Sequence, residues 1–300
     1  MRPRALLLAA SLLLVPLSRT ATASQPASPL PPETVAEIRA AVARADFDGA
    51  IALAERLVAD QPSSSAARLA LGRVLGQRAL KASLFAQIGW GKKCKKAFEE
   101  AVALDPENLD ARFELSRYYA VAPGIAGGSH DLSRKQVAEI AKRNGARGLV
   151  ASATLKEHEK DLAGAEAEFW KAAREAPSDP AVSGALASFL VRQKRPAEAV
   201  AFWRTRAAAA PSDLLARYGL ARAALAAGTG MEEAEAGLRA YLAVPPPPEA
   251  PSWADAHWRL ATVLEKQGRK QEAIRELQET LRLVPGHAGA KRDLDRLAAA

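Results

Sequence analysis

Four histidines, one cysteine, a glycine-rich stretch and a recurring aromatic–arginine pattern are the groups in this chain able to do chemistry. The histidines, His130, His158, His257 and His287, fall in separate parts of the sequence. His158 stands in Glu157-His158-Glu159 and lacks the second histidine four residues on that a helical zinc site needs. Neither Gly-x-Ser-x-Gly nor a glycine loop closing on Gly-Lys-Ser/Thr occurs, so no catalytic, metal or cofactor site is expected. Cys94 is the only cysteine, which excludes an intrachain disulfide. Lys92, Lys93, Lys95 and Lys96 surround it and would favour a thiolate. Cys94 also shares a helical face with Phe98 and Ala101, and this predicts a buried structural thiol with the lysines on the solvated side. Pro123 to Ser129 could offer backbone N–H groups to an anion. With no full phosphate motif beside it, the stretch reads better as an insertion between two helices.

The aromatic–arginine pattern is the candidate binding surface. Phe113, Tyr218 and Trp258 each stand two residues before a leucine, at Leu115, Leu220 and Leu260. Arg117 and Arg222 stand two residues after the first two of those leucines. An equal offset puts these side chains on the same side of successive helices, and a ladder of rings and guanidiniums suits an extended or helical peptide with acidic groups. The other reading is that the rings pack between neighbouring repeats.

The elements that must position them form a repeat. Pro180 to Asp213 reads as two helices, with apolar and small residues three and four apart on each. In the second helix a small residue is followed four later by a bulky one, seven later by a third contact and twelve later by proline. Ala199, Trp203, Arg206 and Pro211 fit, as do Ala165, Phe169, Ala172 and Pro177. Ala273, Leu277, Thr280 and Pro285 follow the same rule, as do Cys94, Phe98, Ala101 and Pro106, with Ala50, Ala54, Leu57 and Pro62 a weaker copy. Pro177 to Pro211 spans 34 residues, and Asn144-Gly145 marks the one missing stop. Small residues let helices approach, the bulky one fills the gap, and proline ends the helix. One such pair cannot hide its apolar face, so copies must stack on either side.

A 34-residue helix–turn–helix period resembles the tetratricopeptide repeat family over roughly residues 33–297. The first-helix pattern of the family is carried by Leu115-Ser116 with Tyr119, Leu186-Ala187 with Leu190, Leu220-Ala221 with Ala224, and Leu260-Ala261 with Leu264. The family's early tryptophan is replaced by Arg112, Ser183, Arg217 and His257. Residues 92–134, with their proline–glycine loop, resemble an exported bacterial subgroup. The resemblance implies an all-α superhelical solenoid of about seven helix pairs with a C-terminal capping helix, Ala288 to Leu297. It also implies a non-enzymatic role, with a peptide or protein segment bound in the concave groove, where Phe113, Arg117, Tyr218, Arg222 and Trp258 match the lining positions.

Two irregularities stand out. Pro62 to Pro106 is ten residues longer than a period, with the surplus around Ala82 to Gly91, and Pro245 to Pro248 is a stiff spacer. The surplus, with Phe85, Ile88 and Trp90, should cover a neighbouring groove or extend the first helix of the second pair, whose expected N-cap is Ser65.

Residues 1–23 read as a secretory signal: Arg2 and Arg4, an apolar run from Ala5 to Leu17, then Ala21-Thr22-Ala23 before the cut. Residues 24–32 read as a flexible Pro/Ser-rich leader. A periplasmic or secreted location follows, with no integral span after cleavage. The net charge of +8 falls to +5 once Arg2, Arg4 and Arg19 leave. That modest excess, together with export, argues against nucleic acid as a partner. The expected partner is a protein or peptide, acidic in character, with the chain serving as an envelope scaffold or assembly factor; self-association stays open. The alternative is a binder of small ligands or cell-wall fragments, or a weak enzyme, working through the 123–129 loop.

Overall fold

The computed structural model describes residues 30–246 and 250–299. The expected signal at 1–23 lies outside them, as does part of the proline run Pro245 to Pro248. Fifteen α-helices occupy the described residues and stack as antiparallel pairs. The pairs are α1 (Pro32–Ala43) with α2 (Phe47–Asp60), α3 (Ser65–Lys81) with α4 (Leu84–Leu104), and α5 (Leu109–Val121) with α6 (His130–Arg143). They continue as α7 (Gly145–His158) with α8 (Leu162–Glu175), α9 (Pro180–Arg192) with α10 (Pro196–Ala209), and α11 (Leu214–Ala227) with α12 (Met231–Leu242). The seventh is α13 (Trp253–Lys266) with α14 (Lys270–Leu283), and α15 (Ala288–Ala299) closes the stack as a cap. The chain is an all-α solenoid of seven pairs and a capping helix.

Local chemistry starts and stops each helix. Side-chain oxygens of Asp46, Asn108, Asp161, Asp179 and Asp213 accept from helix amides two or three residues on, satisfying N–H groups that the helix itself leaves open. Asn144 ends α6 and caps α7 at once, so the stop without proline costs no extra residue. The cap of α3 is Ser64, whose hydroxyl accepts from Ala67 N at 3.2 Å, and not the expected Ser65. Ser65 is instead buried, its hydroxyl donating to Ala101 O at 2.8 Å and accepting from Asn108. The surplus is shared between the two helices of this pair: α3 runs 17 residues, and the residues from Leu84 on wind into the first turns of α4, which runs 21.

Burial follows the repeat arithmetic. Ala50, Ala54, Ala101, Ala165, Ala172, Ala199 and Ala273 are fully buried, and Leu57, Phe98, Phe169, Trp203 and Leu277 fill the space between them. A side chain at Gly219 would run into the Trp203 ring at 2.6 Å, which is why the first helix of that pair carries glycine there. Where the family's tryptophan is missing, polar groups reach across. Arg112 donates to Pro106 O at 2.6 Å, Arg217 to Pro211 O at 3.0 Å, and His257 Nδ1 meets Glu276 at 2.6 Å.

The apolar interior is divided. One buried cluster runs from Ile38 to Tyr119 across α1 to α5, and another from Ala146 to Leu297 across α7 to α15. Between them α5 meets α6 through Ser133 Oγ, 3.1 Å from Ser116 Oγ, and through Arg112 donating to Gln136 at 3.0 Å. The two ends of the stack also touch: Arg39 on α1 donates to Ala250 O at 2.8 Å, and Arg44 lies against Gly286.

The cap depends on a histidine. His287 is buried, packs 5.1 Å from the Trp258 ring, and accepts from Ala290 N through Nδ1 at 3.1 Å at the start of α15. Burial holds its imidazole below the usual histidine range, so the folded cap disfavours a proton that the unfolded chain binds freely. Docking of α15 should therefore be fully stable above about pH 6.5 and weaken as pH falls below it. The protection of α15 amides, taken relative to the intrinsic exchange rate at each pH, should fall between about pH 6.5 and 5 in the native chain. His287→Asn should show no such fall, and an equal fall in the variant would exclude the imidazole as the cause.

Candidate functional site

The first helices of pairs two to five, α3, α5, α7 and α9, line the inner side of the curve and enclose a groove of about 1620 Å³. Its floor is a lattice of ion pairs between successive helices. Glu114 on α5 accepts from Arg73 on α3 at 3.2 Å and from Arg117 at 2.6 Å. Asp110, one turn earlier, accepts from Arg147 on α7 at 2.9 Å. Arg147 also reaches Asp179 at the start of α9 at 2.9 Å, and Glu157 on α7 takes a forked pair from Arg192 on α9 at 2.9 and 2.7 Å. Burial alone would raise Asp179, but the Arg147 guanidinium and the α9 amides outweigh it and hold the carboxyl below its usual range. Exposed pairs of this kind contribute about 0–1 kcal/mol each, so they orient guanidiniums that an incoming carboxylate can take over at small cost.

The rim is apolar. Phe85 is 88% exposed, Leu80 80%, Ile125 71%, and Val121 and Leu162 also face solvent around the same opening. Half of the large apolar side chains left exposed among the described residues are on this one edge. The early turns of α4 supply Phe85 and the segment after α5 supplies Ile125, so the surplus residues and the proline–glycine stretch both border the groove. The surplus residues therefore do border a groove.

The glycine stretch holds itself together. Ala126, Gly127 and Gly128 donate their amides to Pro123 O, Gly124 O and Pro123 O, and Ser129 N donates to Tyr119 O at 2.8 Å. Tyr118 clamps the short turn by donating its hydroxyl to Ala126 O at 2.9 Å. A side chain at Gly128 would overlap the Ala122 carbonyl, and Gly127 has φ of 91°. Those four N–H groups are spent on the chain's own carbonyls and offer no cradle for an anion.

The five residues of the aromatic–arginine pattern do not form one ladder. Phe113 and Arg117 both face the groove, Phe113 half-buried and Arg117 exposed. Tyr218 is buried, its ring 5.1 Å from Tyr241 and its hydroxyl accepting from Arg259 at 2.6 Å. Tyr218 and Arg222 border a separate hollow of about 390 Å³ near the closing contact of the stack. Trp258 packs between the seventh pair and the cap, donating its indole N–H to Asp293 at 2.8 Å. The equal offset keeps these residues on corresponding sides of their helices, but each pair is rotated relative to the last, and α15 covers the inner side of the seventh. Absent from the pattern are Arg73, Glu114, Arg147, Glu157 and Arg192; the recurrence of Asp110 and Glu114 four apart on one helix was the available signal.

Cys94 lies at the base of the groove, buried, its thiol donating to Gly72 O at 3.2 Å. Burial, then Glu114, pushes the thiol up to about 12. The flanking lysines are engaged elsewhere: Lys93 sits 4.6 Å over the Trp90 ring, and Lys95 and Lys96 pair with Glu99 and Glu100.

Two models of the tetratricopeptide repeat match, one over residues 35–86 and one over 254–287, at opposite ends of the same uninterrupted stack. The chain carries tetratricopeptide repeats. Among solved structures, yeast Tom70 is similar at 15% identity and a TM-score of 0.53, over 85% of this chain and 59% of that one. The human IFIT1 dimer with m7Gppp-AAAA is similar at 15% identity and a TM-score of 0.50, over 84% and 58%. The repeat protein thus spans about three fifths of each relative, and at these identities the likeness concerns the fold. No curated protein sequence matches it.

Proposed function

We propose that this repeat protein is a non-enzymatic scaffold that receives one segment of a partner protein in the groove formed by α3, α5, α7 and α9. The observation that carries this reading is the pairing of an exposed apolar rim with a floor of oriented guanidiniums in one concavity. An amphipathic segment suits it: apolar side chains against Phe85, Val121 and Ile125, acidic ones toward Arg117, Arg147 and Arg192. The partner's carboxylates would replace Glu114 and Glu157 on arginines already held in place, so little side-chain ordering is left to oppose binding.

The test is capture from envelope extracts, followed by affinity measurement with the captured protein. Phe85→Ser and Ile125→Ser should each weaken binding by about 2 kcal/mol, roughly thirtyfold, while leaving the melting temperature unchanged because both side chains are exposed. Arg117→Ala should weaken it further without unfolding the stack. Unchanged affinity in all three variants would sink the groove reading.

The reading extends to location, as an assembly factor of the cell envelope. Its support is the basic start, the apolar run and Ala21-Thr22-Ala23 in the first 23 residues. Mass spectrometry of the exported protein should find Ser24 as the first residue. A mature chain that keeps Met1 would show a membrane anchor instead.

A further inference from the structure

We infer that the hollow where the two ends of the stack meet is a binding site for a phosphate group, which ties α1 to α11 and α13. This inference is independent of the groove. The hollow is lined by Arg39 of α1, Tyr218 and Arg222 of α11, Arg259 of α13, and Ala250, Pro251 and Asp255. Three guanidiniums therefore face one volume of about 390 Å³ with a single carboxylate among them.

That carboxylate is committed to its own helix. Asp255 Oδ2 accepts from Ser252 N at 3.1 Å and from Ser252 Oγ at 2.7 Å, in the capping box that starts α13. The arginines are held without neutralisation by it. Arg39 donates to Ala250 O at 2.8 Å, and Arg259 donates to the Tyr218 hydroxyl at 2.6 Å with its guanidinium over the same ring. Arg222 borders the same hollow, where desolvation and then neighbouring Arg259 hold its guanidinium below the usual arginine range. The groove floor is the contrast, because there each of Arg73, Arg117, Arg147 and Arg192 has a carboxylate partner.

Three positive charges and one negative leave an excess of about two, which a phosphate dianion balances. Planar guanidiniums match phosphate oxygens through paired N–H donors. Since Tyr218 Oη accepts from Arg259, its own proton remains to donate to the same anion. Binding would be coupled to shape: Arg39 reaches the hollow only while α1 is folded back against the Ala250 segment, so an anion bound there holds the superhelix closed.

Inorganic phosphate is the probe, measured by calorimetry against the full chain at fixed ionic strength, with chloride as the matched control. One equivalent should bind, and Arg222→Ala and Arg39→Ala should each lower affinity at least about tenfold. Arg275→Ala, exposed on α14 away from the hollow, should bind as the native chain does. Arg222→Gln serves as a second variant should the alanine change perturb α11. Phosphate should also slow amide exchange in α1 of the native chain and leave it unaltered in Arg39→Ala. Glu249 precedes Ala250 and lies outside the described residues, so binding is measured in Glu249→Gln as well. Absence of phosphate binding in both chains overturns the site. So does an equal response to chloride, or binding that survives Arg222→Ala and Arg39→Ala undiminished.

Discussion

Phe169→Ala is expected to destabilise the chain by about 3–5 kcal/mol, the largest single effect in the core. The ring is 1% exposed and lies 4.9 Å from Phe189, which belongs to the next pair. Its flanks, Ala165 and Ala172, have no exposed surface and no side-chain length with which to fill the void. The cost combines lost transfer free energy with a cavity that rigid helices cannot close. Its position matters too, because one removed ring weakens both the α7–α8 pair and its interface with α9. Urea unfolding monitored by circular dichroism measures the loss. A change below about 1 kcal/mol would mean that the fourth and fifth pairs do not share this contact.

Cys94 is expected to react with an alkylating reagent about a thousandfold more slowly in the native chain than after denaturation, on thiolate population alone. Burial pushes the thiol from 9.0 to about 12, and each unit removes about nine tenths of the thiolate present at neutral pH. The side chain is also 3% exposed, with its proton donated to Gly72 O, so access falls further. The check is timed labelling with iodoacetamide, read by mass spectrometry with and without guanidinium. Rapid native labelling would mean that the helix pair α3–α4 opens, or that the lysines activate the thiol after all.

The fold was legible because the repeat encodes it locally. Ala199, Trp203 and the proline at 211 determine a helix face and its end within a dozen residues, and the same arithmetic recurs along the chain. Cys94 could be placed by that register despite four neighbouring lysines. The site was less legible. Phe113 and Arg117 follow from their offset to Leu115, but Arg73 meets Glu114 41 residues away, and Arg192 meets Glu157 35 away. Separations near one period depend on how far each pair rotates over the last, and that rotation is a sum of many small packing choices. The same accumulated rotation carries Tyr218 and Trp258 away from Phe113. It also brings Arg39 to Ala250 across 211 residues, a meeting that no local pattern records.

The hydroxyl contact between α5 and α6 bears on how the molecule comes apart. Elsewhere neighbouring helices are joined largely by methyls and rings, whose burial is strongly favourable; inside the third pair Ser116 and Ser133 face one another, and a typical net hydrogen bond contributes about 0.5–1.5 kcal/mol. A linear array is only as cooperative as its weakest junction. The two apolar clusters, α1 to α5 and α7 to α15, are therefore expected to unfold in separate steps, with Phe113 the α5 side chain that packs against the second. Under denaturant the line is expected to part first at α6, with amide protection there lost before that of the flanking helices.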